Sequence, residues 1–157
     1  MTLDKDVAAF SGTRPFDLMP REAVQLIAFS CRRTQVPAGA SLFHAGEPAD
    51  SGYFVHSGTI ELTRKGERSA SRRVGAGALI GESALYSPVV RVVDAVAVED
   101  AVVTRVERET FRRVLAEFPS AAAAVRSSLM TRTRDLVERL EATRTTLLDP
   151  PRAAGAR

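Results

Sequence analysis

The chain has 157 residues, of which 45% are hydrophobic and 26% are charged, and these fractions are typical of one globular domain. A single cysteine, Cys31, excludes an internal disulfide framework, no apolar run reaches membrane-spanning length, and the N-terminus lacks the pattern of a secretory signal. The net charge of +3 comes from arginines spread along the chain, whereas a nucleic-acid binder concentrates its charge on one element. We therefore expect a cytoplasmic protein that does not contact membranes or bind DNA directly.

The first predicted element is a helix that begins near Pro20, because apolar residues recur at helical spacing after this proline. From Thr34 to about Val106, short apolar alternations are separated by glycine and proline turns, which is typical of β-strands. About eight short strands with regular turns predict a jelly-roll-like β-roll. The strands located from the pattern are Thr34–Val36, Ser41–His44, Tyr53–His56, Thr59–Arg64, Arg72–Val74, Arg91–Val98 and Val102–Val106.

Two helices are predicted after the strands. The first covers Phe111–Phe118 and has one apolar face that can pack on the roll, and Pro119 ends it and begins a longer helix toward Leu148. In the longer helix, leucines and threonines recur at alternating steps of four and three, which is a modest coiled-coil signal. Packing of an amphipathic helix against its own roll explains the pattern equally well. The seam positions are Leu129, Thr133, Leu136, Leu140, Thr143 and Leu147.

The most informative segment is GALIGESALYSPVVRVVDA, residues Gly77–Ala95, in which Arg91 follows Glu82 by nine positions. Its glycines allow backbone conformations that other residues avoid, so a tight turn into Glu82–Tyr86 would direct several backbone N–H groups to one point. Such amides bind anions, an arginine adds donors that match phosphate oxygens, and a carboxylate accepts a hydrogen bond from a sugar hydroxyl. On these residues alone, however, a simple ion pair between Glu82 and Arg91 is the favoured interpretation.

The sequence contains no recognisable catalytic or metal-binding set. Ser83 does not lie in the G-x-S-x-G turn of hydrolases and has no histidine placed as its base. The two histidines, His44 and His56, have no further ligand type at useful spacing, and we expect them to be ordinary strand residues. We therefore predict a binding module rather than an enzyme, with no metal and no cofactor.

The segment GALIGESAL followed by Arg91 resembles the phosphate-binding cassette of the cyclic nucleotide-binding domains. The stretch AGASLFHAGEPADSGYFVHSGTIEL resembles the glycine-punctuated strands of the same family, and the likeness extends from about Leu18 to Leu140. The resemblance implies a mainly β fold with flanking helices, namely an eight-stranded β-roll with an N-terminal helix and C-terminal helices. It also implies a regulatory module that binds cAMP or cGMP.

Carried over onto this sequence, the resemblance assigns Glu82 to the ribose 2′-hydroxyl and Arg91 to the cyclic phosphate. The backbone amides of Ser83, Ala84 and Val92 would complete the phosphate shell beside Gly81. Apolar side chains would form the floor under the ribose and base. The implied nucleotide-binding residues are Gly81, Glu82, Ser83, Ala84, Arg91, Val92, Val74, Leu79 and Ile80.

Two valines differ from the family pattern, which usually has small residues after the arginine. Val92 lacks the hydroxyl that a serine would offer to phosphate, and Val93 adds methyl groups where the phosphate side of the ligand packs closely. They favour an alternative function, in which a degenerate roll with an empty pocket is a dimerisation or interaction scaffold for an unidentified protein partner. Asp94 is expected to lie on the opposite face of a strand from Arg91 and to leave the arginine free.

The expected organisation has three parts: the β-roll with its N-terminal helix and first C-terminal helix over residues 1–118, a long C-terminal helix over 119–149, and a disordered tail over 150–157. The long helix is expected to be a lid or a homodimer contact. After Leu148 only nine residues remain, so we expect no helix-turn-helix domain.

Overall fold

The computed structural model describes residues 3–66 and 70–148, and in this part of the chain ten short strands are flanked by helices at both ends. The helices are α1 (Leu3–Phe10), a 3₁₀ turn (Phe16–Leu18), α2 (Arg21–Ser30), α3 (Ser83–Tyr86), α4 (Arg108–Glu117) and α5 (Pro119–Leu148). The strands are β1 (Arg32–Val36), β2 (Ser41–Phe43), β3 (Pro48–Ala49), β4 (Ser51–Ser57), β5 (Ile60–Arg64), β6 (Ala70–Val74), β7 (Leu79–Ile80), β8 (Val89–Val90), β9 (Asp94–Ala97) and β10 (Ala101–Glu107).

The strand pairs of the described residues are antiparallel, and eight of the strands form two four-stranded sheets, with the orders β1-β10-β4-β7 and β2-β9-β5-β6. A third, small pair joins β3 to β8. The predicted class, a mainly β roll with helices before and after it, is confirmed. The described residues contain ten strands rather than eight, because β3, β7 and β8 have only two residues each, too few for alternation to be visible in the sequence.

The predicted strand Arg91–Val98 is wrong at its beginning. Only Asp94–Ala97 pairs with β5 as β9, and the chain from Arg91 to Val93 lies outside the sheet. The backbone of Arg91 bonds instead to the loop before β3: its N–H donates to Glu47 at 2.8 Å, and its carbonyl accepts from Gly46 at 2.8 Å. These bonds divert the segment from the sheet just before β9.

Helix boundaries follow the prolines more closely. Pro20 is the N-cap of α2, and α5 begins at Pro119, as the sequence predicts, because proline at a helix start lacks only an N–H that has no intrahelical partner. The sequence interpretation missed α1, whose eight residues bury only Val7 and Phe10. Two buried positions are too few to show a helical period. The predicted tail over 150–157 lies outside the described residues.

Two hydrophobic cores share the strand β4. One core lies between the helices and the first sheet and includes Phe54 with Phe10 and Phe111, and the other lies inside the roll and includes Val55. Adjacent strand residues point to opposite faces, which is why Phe54 and Val55 serve different cores. Strand β7 pairs with β4. Its Leu79 therefore packs against the core between the helices and the first sheet (the outer core), and its Ile80 belongs to the core inside the roll (the inner core). The segment that begins at Gly81, directly after β7, is therefore fixed to both cores.

A small polar network ties α1 to the first sheet. Arg33 forms an ion pair with Asp6 of α1 and approaches Nδ1 of His56 with Nη2 at 3.1 Å. Because arginine can only donate, Nδ1 accepts, and Nε2 donates to Oγ1 of Thr104 at 2.7 Å. Burial, reinforced by the charge of Arg33, lowers the pKa of His56 to about 4, so this strand histidine is neutral at physiological pH.

Among the described side chains of helix α5, the buried ones lie in its first part. Ala121 and Val125 are buried against the domain, whereas the side chains of residues 133–144 are all exposed. The exposed surface includes the large apolar side chains of Met130, Leu136, Val137 and Leu140. No helix in the described part of the chain is both long enough and apolar enough to cross a bilayer.

Candidate functional site

The candidate site is formed by a short cassette between β7 and β8. Gly81 has a φ of 74°, in the left-handed region that favours glycine, and turns the chain from β7 into α3. The amide of Ala84 donates to the carbonyl of Gly81 at 3.1 Å, and the amide of Leu85 donates to that of Glu82 at 3.0 Å. Ala84 and Leu85 are fully buried, so α3 is held firmly on the core although it has only four residues.

Arg91 reaches the cassette from the opposite side and is almost completely buried, with 7% of its surface exposed. Its Nη2 donates to the carbonyl of Ser51 at 2.7 Å, and its guanidinium carbon lies 4.1 Å from the centroid of the Phe43 ring. Its Nη1 lies against Gly81, so closely that a Cβ at that position would overlap it. Burial lowers the pKa of Arg91. The guanidinium is thus fixed between β4 and the cassette glycine.

The carboxylate of Glu82 is bonded to two other residues and not to Arg91. Its Oε1 accepts a hydrogen bond from the hydroxyl of Tyr86 at 2.6 Å and from Nη1 of Arg132, on α5, at 3.0 Å. Burial, followed by the bond to the Glu82 carboxylate, raises the pKa of Tyr86 well above its usual range, so this tyrosine stays a donor. The simple ion pair between Glu82 and Arg91 that the residues alone favoured is therefore absent.

A cavity of about 390 Å³ lies between the cassette, the floor of the roll and the segment after β8. This volume is within the usual range of small-molecule sites, about 300–1,000 Å³. Seven of the nine residues singled out in the sequence line it: Val74, Leu79, Ile80, Gly81, Ser83, Arg91 and Val92. The other two do not, since Glu82 is bonded to Tyr86 and Arg132, and Ala84 is buried beneath the cassette with its amide bonded to Gly81.

The residues of the site that were missed in the sequence include Arg72, Phe43 and Arg132. Arg72 lines the cavity from β6, and its position two residues before Val74, on the same strand face, was a signal that could have found it. Phe43 and Arg132 gave no such signal, because they reach the site from 48 positions before Arg91 and 50 positions after Glu82. Whether residues so far apart in the sequence meet depends on how distant elements pack.

The two valines after Arg91 have different surroundings, although both line the cavity. Val92 is 65% exposed, whereas Val93 packs against the inner core. The side chain of Val93 is therefore part of the cavity wall, and that of Val92 lies at the mouth of the cavity.

Asp94 makes its contacts elsewhere. Its carboxylate accepts from the amide of Ala45 at 2.8 Å and pairs with Lys65 at 2.9 Å. The bond to Lys65, and after it the bond to Ala45, lowers the pKa of Asp94. Asp94 is thus bonded to residues other than Arg91. The expected reason, that the two residues lie on opposite faces of one strand, is wrong, because Arg91 lies outside β9.

The chemistry of the cavity follows from its lining. Two guanidinium groups, those of Arg72 and Arg91, meet apolar walls, and none of the described lining residues carries a carboxylate. Such a cavity suits a ligand with an anionic group on an apolar or aromatic body. The carboxylate of Glu82 stands next to the cavity, on the α5 side of the cassette.

Known proteins share the sequence pattern and the fold of this chain. The family model described as the cyclic nucleotide-binding domain matches residues 33–118. An NTE family protein of Mycobacterium tuberculosis is 35% identical over 104 residues, which cover 66% of this chain and 18% of that protein. The cyclic AMP receptor protein of Thermus thermophilus is 29% identical over 127 residues, covering 79% of this chain and 59% of the receptor. This chain therefore spans less than a fifth of the length of the mycobacterial relative.

Among solved structures, a cyclic nucleotide-binding-like protein from Brucella abortus superposes with a TM-score of 0.66 and 36% sequence identity. The match covers 72% of this chain and 99% of the Brucella chain. The likeness therefore extends over the whole of that smaller protein.

Proposed function

This chain belongs to the cyclic nucleotide-binding domain family, and on that basis we propose that it is a cytoplasmic sensor or regulatory module that binds cAMP or cGMP. It acts by binding and carries no catalytic activity of its own. The relative named cyclic AMP receptor protein supports a cyclic nucleotide as the ligand, and the cavity beside the cassette has a suitable size and charge.

The observation that carries the proposal is the fixed position of Arg91. A free arginine loses side-chain entropy when it binds phosphate, about 1.5–2 kcal/mol for a long side chain. Here Ser51 and the ring of Phe43 already hold the guanidinium, and its Nη1 lies against the cassette glycine Gly81. A phosphate at the cassette would therefore meet a donor that is already in place.

The remaining contacts follow from the lining of the cavity. Leu79, Ile80 and Val74 form an apolar floor on which a ribose and a base can lie. The small Ser83 allows an anion to approach the cassette backbone. The ribose hydroxyl is assigned to Glu82, whose carboxylate must turn toward the cavity to receive it.

A scaffold without ligand is the second candidate function, and three observations favour it. Nη2 of Arg91 donates a hydrogen bond to the carbonyl of Ser51, which is a purely structural bond. Val93 occupies part of the cavity wall. In addition, α5 exposes a set of large apolar side chains. A degenerate roll that serves only as an interaction platform would have these features.

A thermal-shift titration of the full chain with cAMP, cGMP and 5′-AMP separates the two functions. A ligand that binds only the folded state stabilises it, by about 2.7 kcal/mol at a concentration one hundred times its Kd. We expect the melting temperature to rise with a cyclic nucleotide and to stay constant with 5′-AMP, whose phosphate carries an additional charge and is not tied back to the ribose. No shift at millimolar cAMP or cGMP would favour the scaffold.

We propose in addition that the exposed part of α5 pairs with a second copy of this chain. Leu136 and Leu140 are exposed and lie on the predicted heptad seam, whereas Met130 is exposed but lies off the seam. Sedimentation velocity should show a dimer for the wild type and for Met130→Glu, and a monomer for the double variant Leu136→Glu/Leu140→Glu. A wild-type monomer at high concentration, with and without nucleotide, would contradict the dimer. The seam position Leu147 lies where side chains are not described.

A further inference from the structure

Arg108, the first residue of α4, bonds to two segments that are far apart in the sequence. Its Nη1 donates to the carbonyls of Ala49 at 3.0 Å, Ala84 at 3.1 Å and Ser87 at 3.0 Å. Its backbone N–H donates to the carbonyl of Asp50 at 2.7 Å. One residue therefore joins the chain between β3 and β4 (residues 49–51, the β3–β4 segment) to the cassette.

The cassette helix α3 depends on a donor from outside. It has only four residues, and the last carbonyls of a helix have no partner within it. The residue four positions after Ala84 is Pro88, which has no N–H to donate. Ser87 is the C-cap, so Arg108 brings a cation to the end of the helix where positive charge is favourable. Arg108 thus fixes the C-terminal end of α3.

The guanidinium of Arg91 contacts both of the segments that Arg108 joins. Strand β3, which contains Ala49, pairs with β8 directly before Arg91. Ser51, two residues after Ala49, accepts the hydrogen bond from Nη2 of Arg91, and Nη1 lies against Gly81 of the cassette. The position of Arg91 therefore depends on how the β3–β4 segment and the cassette are held together.

We propose that Arg108 is a positioning residue for nucleotide binding: by joining the β3–β4 segment to the cassette, it holds Arg91 where the phosphate binds. This inference rests on the proposed function, in which Arg91 binds the cyclic phosphate. Arg108 is not among the described residues that line the cavity beside the cassette, so it acts through Arg91. Without Arg108 the two segments are joined less firmly, and Arg91 loses more side-chain entropy when the phosphate arrives.

The bonds of Arg108 indicate which substitution should preserve this role. All three side-chain bonds come from one nitrogen, Nη1, and not from a flat fork of two nitrogens. A lysine ammonium also carries several donors on one nitrogen. Arg108→Lys should therefore keep bonds to the carbonyls, whereas Arg108→Ala removes them.

The test measures the binding of cAMP and cGMP to the full chain by isothermal titration calorimetry, at a temperature where every variant is folded. Arg108→Ala and Arg108→Lys are compared with two controls. Arg112→Ala removes an exposed arginine one turn further along the same helix. Val36→Ala removes methyl groups from the inner core, so it lowers the stability of the roll without changing the cassette or the β3–β4 segment.

We expect Arg108→Ala to bind the nucleotides about ten-fold more weakly than the wild type, which is the effect of ordering a long side chain during binding. Arg108→Lys should bind more tightly than Arg108→Ala, and both controls should match the wild type. Combined with Arg91→Lys, which removes the guanidinium that Arg108 positions, Arg108→Ala should cause a smaller loss than it does alone.

Hydrogen exchange of the chain without nucleotide is a second readout. The amide of Ser87 bonds to the carbonyl of Ser83 within the cassette, and the amide of Arg91 bonds to that of Glu47. In Arg108→Ala both amides should exchange faster while β5 keeps its wild-type rates, because only the region around the cassette opens more easily. A change that only lowers global stability would instead speed exchange throughout the roll.

The calorimetric results separate this inference from the proposed function. If the wild type binds and Arg108→Ala binds equally well, or if Val36→Ala loses as much affinity as Arg108→Ala, the positioning role is refuted while the proposed function stands. If the wild type binds neither nucleotide, the proposed function fails and the positioning role fails with it.

Discussion

The two charged residues at the candidate site, Arg91 and Glu82, are held in opposite ways. Arg91 is buried in the roll, where β4 accepts its hydrogen bond and the aromatic ring of Phe43 covers its guanidinium. Glu82, only nine positions earlier, is partly exposed and bonded to Tyr86 of its own short helix and Arg132 of α5. One residue is thus part of the rigid roll, and the other is tied to an element that leaves it.

The two arrangements have different consequences for ligand binding. A preorganised donor raises affinity because little ordering is required when the ligand arrives. A group that must exchange partners contributes less affinity but links binding to the position of another element. We therefore expect Arg91 to contribute more to binding strength than Glu82.

The largest effect is expected from Arg91→Ala. Loss of two charge-assisted hydrogen bonds to phosphate, each worth about 1.5–3 kcal/mol, should lower nucleotide affinity at least about 100-fold. The free energy of unfolding should also fall by about 1–3 kcal/mol, because the buried carbonyl of Ser51 loses its donor. Calorimetric titration and chemical denaturation measure the two effects. The control is Arg73→Ala, which removes a surface arginine that is paired with Glu61. It should change neither the nucleotide affinity nor the free energy of unfolding by much.

A smaller effect is expected from Gly81→Ala, with Gly77→Ala as its matched control. Both glycines have a positive φ, 74° and 85°, so each alanine should cost about 1–2 kcal/mol of stability. Only at Gly81 would the new Cβ displace Nη1 of Arg91, because nothing lies within 4 Å of a Cβ at Gly77. Titration should therefore show about a ten-fold loss of affinity for Gly81→Ala alone. Equal affinities would mean that Arg91 does not hold the ligand at this point.

Glu82→Gln should affect binding and leave the fold almost unchanged. The amide keeps the shape of the side chain but removes the negative charge, so the bond to a ribose hydroxyl weakens and affinity should fall about five- to ten-fold. The free energy of unfolding should change by less than about 1 kcal/mol, because the ion pair with Arg132 is exposed to water. A loss of affinity as large as that of Arg91→Ala would contradict the expectation that Arg91 contributes more to binding than Glu82.

The smallest effect concerns the titration of Tyr86. Its pKa is raised in the folded state, so above the ordinary tyrosine value near 10 the folded chain binds more protons than the unfolded one, and stability falls as the pH rises. Ultraviolet absorbance at alkaline pH should show that Tyr86 ionises only well above the ordinary tyrosine value. In Glu82→Gln its pKa should move back toward the ordinary value, because a negative neighbour has gone. An unchanged titration curve would mean that Tyr86 does not bond to Glu82 in solution.

The sequence predicted what depends on neighbouring residues. The spacing of Gly81, Glu82 and Arg91 indicated the cassette, and Pro20 and Pro119 indicated where two helices begin. The two-residue strands and α1 were missed, because so few residues leave no period to detect.

The partners of the two charged residues could not be predicted. Arg91 bonds to Ser51, 40 positions away, and Glu82 to Arg132, 50 positions away. Such pairs arise from the register of distant strands and from the direction in which α5 leaves the domain. One sequence carries no local signal for either.

The length of α5 gives its attachment a mechanical meaning. The helix has 30 residues, and about 16 of them follow Arg132. At 1.5 Å per residue this part is a rigid arm of about 24 Å. A tilt of about 10° at Arg132 would therefore move the far end by about 4 Å, which is most of a helical turn. A change in the direction of α5 at Arg132 is thus about 4 Å at the far end of the helix, which is a far larger displacement than any at the cassette itself.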